Sequence, residues 1–207
     1  MSEAREAVLA RIRGALADSP AVPDVPREYV ARSDLSSEDL ASLFRSHVEE
    51  TGARVVDALD ARGAIEASLA DHAVSQVVVA PDLPSELRPD GVELVEDHGL
   101  APAELEALDG ALTTCAAACA DTGTIALDGG PGQGRRAITL VPDLHVCVVE
   151  RGQIVATVPE LFARLEPSAR AGRPIVLVSG PSATSDIGFE RVEGVHGPRR
   201  LVVVLAG

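Results

Sequence analysis

The sequence of 207 residues contains no tryptophan and no lysine, and aromatic residues make up only 2% of it. A core must therefore be built from alanine, valine, leucine and isoleucine, and the apolar fraction of 46% is large enough for one. Schiff-base chemistry and a phosphate-binding P-loop both need a lysine amine, so neither is available to this chain. The scarcity of aromatic side chains also leaves little to stack against a flavin.

Cysteine is scarce as well. Cys115 and Cys119 are separated by three residues, and Cys147 stands alone. This CxxxC spacing differs from the CxxC of most zinc and iron–sulfur sites, and no second pair follows, so we expect no metal and no cofactor to be bound by this chain. Nor do these thiols suggest a disulfide framework. We interpret them as small buried apolar side chains.

Long apolar runs and an excess of positive charge are missing too. No stretch reaches the roughly 18 apolar residues needed to cross a bilayer, and the N-terminal residues lack the core of a signal peptide, so we expect a cytoplasmic protein with no membrane span. The net charge of −14 repels phosphate backbones and argues against nucleic acid as a partner. A small anionic metabolite remains compatible with this charge if backbone N–H groups or arginines bind it locally.

The N-terminal region differs in pattern from the rest of the chain. Apolar residues at helical spacing, among them Val8, Ile12 and Leu16, predict an amphipathic helix over residues 2–17. Prolines crowd the following stretch and indicate an extended linker. The helix either packs on the main body or binds a partner, and the residues favour neither option. The predicted divisions are an N-terminal helix at 1–19, a proline-rich linker at 20–33 and a main domain at 34–207.

Predicted helices and strands alternate along the main domain. This alternation indicates an α/β fold, with a mostly parallel sheet covered by helices on both faces. Residues 99–115 are predicted as one helix entered through Pro102, and "AITLVP" and "PIVLV" as strands, the latter a central one. The glycine-rich stretch "DGGPGQGRR" does not have P-loop spacing, so we interpret it as a mobile hairpin loop.

Three short polar turns with glycine stand where strands begin or end. The first, residues 121–124, precedes the strand "TIAL", and the second, residues 179–186, follows "PIVLV". The third, residues 194–198, carries His196 between glycines, where a histidine is a candidate general base or a structural residue bonded to a carbonyl. The second turn alone is equally explained by a helix cap that binds no ligand. If their strands are neighbours, the three turns form one pocket at the carboxyl edge of the sheet.

Four motifs in this order, "ADTGTIAL", "LVPDLHVCVVE", "SGPSATSDI" and "GVHGPRRLVVVL", resemble the lactate-utilisation protein C family, also called the LUD-domain family. The resemblance covers about the last 90 residues. It implies a three-layer α/β/α sandwich of the ribose-5-phosphate isomerase and CoA-transferase-like fold group. It also implies a role beside two partner proteins in oxidising L-lactate to pyruvate, with the iron–sulfur clusters on those partners.

The family's motif positions fall on the three turns and on one residue of a predicted strand. From side-chain chemistry we assign His196 as the base for the α-hydroxyl proton, with Asp186 or Asp121 orienting its ring. The remaining positions are assigned to ligand binding, with residues 180–184 around the carboxylate. These ligand-binding candidates are Thr122, Gly123, Thr124, Gly180, Pro181, Ser182, Thr184, Gly194, Gly197 and His145.

Two functional hypotheses follow. In the first, the chain is a non-cluster component of an L-lactate oxidation system, with iron–sulfur lactate-utilisation proteins as partners and a pocket for a small anion. In the second, it is a stand-alone enzyme acting on a sugar phosphate or a CoA thioester, with Arg135, Arg136, Arg199 and Arg200 as candidate phosphate ligands. The second rests on analogy with the wider fold group, which hosts many functions.

Overall fold

The computed structural model describes residues 3–17, 24, 33–184, 192–193 and 197–207. Its largest element is a parallel sheet of six strands. From one edge to the other these are β1 (Arg54–Ala58), β12 (Arg200–Ala206), β7 (Leu144–Glu150), β4 (Gly110–Thr113), β2 (Gln76–Val79) and β3 (Glu93–Glu96).

The centre of this sheet is its most apolar part. β7 and β12 pair over seven residues, from Arg200 opposite Leu144 to Ala206 opposite Glu150. Both strands are buried on both faces, which explains their unbroken runs of valine and leucine. The two longest strands thus form the middle of the fold although they are far apart in the sequence.

One face of the six-stranded sheet is covered by α3 (Ala61–Asp71). Asp60 caps this helix, because its side chain accepts a hydrogen bond from the backbone N–H of Gly63. Ile65 and Leu69 lie one helical turn apart and pack onto valines of the sheet. The short α4 (Pro102–Glu106) packs Leu105 in a separate small cluster beside β2 and β4.

The other face is covered by a second, mixed sheet and by α2 (Ser37–Glu50). The order in this smaller sheet is β8 (Ile154–Val155), β5 (Ala117–Cys119), β6 (Thr124–Leu127) and β9 (Val176–Val178). Along β5, Ala118 faces the large sheet, while Ala117 and Cys119 face α5 (Val158–Arg170). The predicted α/β class, with a mostly parallel sheet between helices, is confirmed, and the smaller sheet is an addition that the sequence did not suggest.

The predicted helix over residues 99–115 is wrong in its second half. α4 ends at Glu106, and the chain then enters β4 in the middle of the large sheet. A Cβ on Gly110 would lie 3.2 Å from the carbonyl oxygen of Leu144, so a glycine lets β4 approach β7 closely. Leu105, Leu108 and Leu112 have helical spacing by coincidence, which misled the prediction.

Two strand predictions also differ from the structure. "AITLVP" contains no strand, and its first three residues belong to a 3-10 helix, Arg136–Thr139. β9 is at the edge of the smaller sheet and exposes Leu177, so "PIVLV" is not a central strand. An apolar run fits an edge strand here because Val176 and Val178, on one side of β9, pack against the core between the two sheets.

The remaining described elements are α1 (Glu3–Ala15), the 3-10 helices Ser85–Leu87 and Arg151–Gln153, and a two-stranded ribbon of β10 (Ala183–Thr184) and β11 (Val192–Glu193). Val8 and Ile12 on α1, and Leu16 just after it, are exposed. The division of the chain at residues 19 and 33 stays a prediction. Among the described helices, none has the length and apolar character to cross a membrane.

Candidate functional site

The first and second turns meet through a chain of hydroxyl groups. The Oγ1 atoms of Thr122 and Thr124 are 2.7 Å apart, and the Oγ1 of Thr124 is 2.7 Å from the Oγ of Ser179. This contact exists because β6 and β9 are antiparallel, with Ile125 opposite Val178, so the start of one strand lies beside the end of the other. Ser179 therefore links the two turns, although it is not among the predicted site residues.

The glycines of these two turns are required by packing against the end of α2. Gly123 has a φ of +59°, and a Cβ there would lie 2.8 Å from backbone atoms of His47 and Val48. Gly180 has a φ of +108°, and its Cβ would lie 2.5 Å from the side chain of Thr51. A residue with a side chain is strained at such angles. Both glycines thus have a structural reason that does not involve a ligand.

The second and third turns meet at Ser182, whose backbone N–H donates to the carbonyl of Pro198 over 2.8 Å. Between them lies a cavity of about 270 Å³, here called the three-turn cavity. Its walls include the five predicted positions Gly180, Pro181, Ser182, Gly197 and His145, together with Thr139, Leu140, Pro198, Leu201 and residues 176–179. The structure thus gathers residues of the second and third turns, and His145, around one small space.

His145 is the second residue of β7 and is almost completely buried. Its Nε2 lies 2.8 Å from the Oγ1 of Thr113 on the neighbouring strand β4. Thr113 in turn lies opposite Cys147 in the register of the two strands. His145, Thr113 and Cys147 therefore form a polar row next to the three-turn cavity, inside an otherwise apolar layer.

Two thiols extend this row. The neighbouring Cys115 thiol lowers the pKa of Cys147, and His145 acts in the same direction, against the opposing effect of burial. The contact with Cys147 and burial together raise the pKa of Cys115 well above its usual value. If a proton leaves the pair, it therefore leaves Cys147 first. All three cysteines of the chain are buried and free.

Other predicted residues lie elsewhere. Asp121 is exposed, donates its backbone N–H to Ala156, and is not in the wall of the three-turn cavity. Thr184 lies in β10, and its side chain is not among the described parts of the structure. Asp186, Gly194 and His196 lie outside the described residues. Within the described residues, no three His, Cys, Asp or Glu side chains are grouped so that they could hold a metal ion.

The position of the three-turn cavity relative to the large sheet differs from the prediction. His145 is near the amino end of β7, and Gly197 precedes the amino end of β12. The cavity therefore lies at the amino ends of these parallel strands and not at the carboxyl edge. The prediction was wrong because it placed β9, which leads into the second turn, in the large sheet.

The carboxyl ends of the large sheet face the glycine-rich loop, residues 128–136. The loop is held by buried side chains and is not an open hairpin: Asp128 accepts hydrogen bonds from the N–H of Gly130 (2.9 Å) and the hydroxyl of Ser168 (2.5 Å). Gln133 accepts from the N–H of Asp128 over 2.7 Å. A cavity of about 570 Å³ lies here, with Thr114, Cys115 and Arg173 in its wall. The spacing of glycines in the sequence does not indicate that this loop folds around the buried Asp128.

Comparisons with known proteins agree with the fold. Residues 42–206 match the LUD domain. The chain is 41% identical over 209 residues to "Lactate utilization protein C" of Deinococcus radiodurans, covering 100% of this chain and 97% of that protein. A protein of the same name from Bacillus pumilus is 36% identical over 90 residues, which is 42% of this chain and 37% of that protein.

A solved structure also matches. The crystal structure of a DUF162 family protein from Deinococcus radiodurans superimposes with a TM-score of 0.73 and 36% sequence identity. The match covers 84% of this chain and 99% of that chain. The sequence resemblance and the topology thus lead to the same group of proteins.

Proposed function

The chain belongs to the LUD-domain family, and from this membership we propose that it is a component of a lactate-utilisation system. The observation that carries the proposal is the 41% identity, over the whole chain, to a protein named "Lactate utilization protein C". We further propose that partner proteins holding iron–sulfur clusters complete the system, and that this chain binds a small carboxylate.

The three-turn cavity supports the proposed carboxylate site. Its walls combine backbone groups of the second turn with the hydroxyl-bearing residues Ser179 and Ser182 and with the buried His145. A small hydroxy acid needs few, well-placed polar groups in a largely apolar pocket, and this wall offers such a combination. The second and third turns lie close together here, since a Cβ on Gly197 would be in ordinary contact, 3.4 Å, with the Cβ of Ser182.

The proposed chemistry is the oxidation of L-lactate to pyruvate. The reaction breaks the O–H bond of the α-hydroxyl and the C–H bond at the α-carbon, forms a carbonyl, and releases two protons and two electrons. In this proposal His196 accepts the hydroxyl proton, and Asp186 orients its ring. Iron–sulfur clusters on the partners would accept the two electrons.

The partners are tested by an affinity pull-down with the tagged full chain from its native host grown on L-lactate. We expect cysteine-rich iron–sulfur proteins to bind, as identified by mass spectrometry and iron content. The same host grown without lactate is the control. Recovery of the chain without iron–sulfur proteins under both conditions would contradict the proposed partnership.

The cavity is tested by narrowing it. Gly197→Ala adds one methyl group next to Ser182 at an ordinary contact distance, so the fold should tolerate it, while the space for a ligand shrinks. Gly152→Ala is a matched control, because its new methyl group would meet nothing within 4 Å. We expect Gly197→Ala to reduce lactate-dependent dye reduction by the assembled system at least tenfold, and Gly152→Ala to leave it unchanged. Equal activity of the two variants would remove the cavity from the function.

A further inference from the structure

A second cavity, of about 350 Å³, lies between the glycine-rich loop and the start of β9, and is here called the loop cavity. The charged residues in its wall are three arginines, Arg135, Arg136 and Arg173, and one acid, Asp128. The whole chain carries a net charge of −14. A cavity with more cations than anions in so acidic a protein sets up a local field that attracts anions.

Two of these arginines are already neutralised. Arg173 forms an ion pair with Asp128 over 2.9 Å, and the other oxygen of that carboxylate accepts the N–H of Gly130. Arg135 is paired with Asp97, with its Nε 2.5 Å from a carboxylate oxygen. Both carboxylate oxygens of Asp128, the single acid in the wall, therefore already have partners, so Asp128 is not available to pair with Arg136 in place of a ligand.

The third arginine, Arg136, has no such partner among the residues that the structure describes. Within the described part of the chain, the guanidinium of Arg136 makes neither an ion pair nor a hydrogen bond. The backbone N–H groups of Gly129 and Gly134, in the same wall, likewise have no acceptor among the described residues. Counting only contacts among the described residues, the wall of the loop cavity thus contains one unpaired guanidinium and two glycines whose N–H groups have no acceptor.

The loop needs glycine to bring these groups together. Gly129 and Gly134 have φ values of +68° and +66°. A Cβ on Gly134 would also lie 2.8 Å from the Cδ1 of Ile138. Backbone N–H groups of turns donate hydrogen bonds to anions, and a guanidinium binds phosphate or carboxylate through two parallel hydrogen bonds.

We propose that the loop cavity is an anion-binding site for a phosphate or carboxylate group, with Arg136 as its cation and the N–H groups of Gly129 and Gly134 as further donors. The loop cavity adjoins the three-turn cavity, since Thr139 and Val176 belong to both walls. Its ligand is either a separate small anion or the second anionic group of a longer molecule that lies along β9. The site does not depend on the proposed role in lactate utilisation.

The test is calorimetric titration of the full chain with inorganic phosphate, L-lactate and pyruvate at constant ionic strength. Arg136→Gln removes the free guanidinium. Arg170→Gln makes the same change of charge on the exposed face of α5, where Arg170 pairs with Glu166. Arg136 also borders a larger cavity at the amino edge of the sheet, so Arg200→Gln, which changes that cavity alone, is the second control.

We expect at least one of the three anions to bind saturably to the unchanged chain. Arg136→Gln should weaken that binding at least tenfold, while Arg170→Gln and Arg200→Gln change it less than twofold. Binding of phosphate would identify a phosphate site, and binding of lactate or pyruvate alone a carboxylate site. The proposal is overturned if none of the three binds, if Arg136→Gln binds as well as the unchanged chain, or if Arg200→Gln loses binding equally.

Discussion

Asp97 joins the segment before α4 to the glycine-rich loop, and its substitution tests how much this contact stabilises the fold. Its side chain is only 2% exposed and accepts hydrogen bonds from the Nε (2.5 Å) and a terminal nitrogen (2.9 Å) of Arg135. It also accepts the backbone N–H groups of Gly99 and Leu100, at 3.1 and 3.0 Å. The substitution Asp97→Asn keeps the size of this side chain, removes its charge and turns one acceptor into a donor.

The expected loss of stability follows from these contacts. A hydrogen bond to a charged group contributes about 1.5–3 kcal/mol. The side chain of Arg135 is 42% exposed, so it can turn to water once its partner is lost. We therefore expect Asp97→Asn to lower the free energy of unfolding at pH 7 by about 2 kcal/mol, near the lower end of that range.

The loss should depend on pH. The guanidinium of Arg135, and then the N–H groups of Leu100 and Gly99, hold the pKa of Asp97 below its usual range, although burial opposes them. A carboxyl group whose pKa is lower in the folded than in the unfolded state stabilises the fold at pH values above the unfolded pKa of about 3.9. This contribution falls as the pH drops through the folded pKa. Asparagine does not titrate, so the two proteins should become closer in stability below about pH 4.

The assay is urea denaturation of both proteins at pH 7, at pH 5 and at the lowest pH at which the unchanged chain is folded. Asp90→Asn is the control, since Asp90 pairs with Arg62 but its side chain is 87% exposed. It should change stability by less than about 0.5 kcal/mol. A difference for Asp97→Asn that persists undiminished at low pH, or that equals the control at pH 7, would refute this reasoning.

Three further predictions concern packing and reactivity. Gly123→Ala should lower the free energy of unfolding by about 2–4 kcal/mol in urea denaturation, because its Cβ meets the backbone of α2 at a positive φ, whereas Gly152→Ala should not. Phe44→Ala should cost about 3–5 kcal/mol in the same assay, since Phe44 is completely buried, while Phe162→Ala on the exposed side of α5 should cost less than 1 kcal/mol. A thiol reagent should label none of the buried cysteines in the native protein and all three in denaturant, and fast native labelling of Cys147 would contradict its burial.

The most accurate predictions from the sequence concern strands whose apolar residues are also the buried ones in the structure. The final strand and "HVCVVE" read as continuous apolar runs, and they are the two central strands. The prediction of one helix over residues 99–115 failed because leucines before and within β4 have helical spacing by chance. The pairing of β4 with β2 and β7, with Gly110 close to Leu144, depends on distant parts of the chain.

The candidate site was predictable in part. The three polar turns were visible, and residues of the second and third turns line one cavity with His145. The contribution of Ser179 and Thr113 was not visible, because it depends on which strands are neighbours. The pairing of β6 with β9 joins residues about 50 positions apart, and no local pattern encodes such a pairing.

The strand order has a consequence for how the protein is made. In the large sheet, β12 lies between β1 and β7, and β1 is an edge strand whose neighbour is β12. A ribosome therefore delivers five of the six strands before the one that joins β1 to the others. Until β12 emerges, the edges of β1 and β7 that pair with it stay open, and the sheet cannot close. Growing chains should need protection from chaperones until β12 has emerged, and a chain stalled before β12 should aggregate rather than fold.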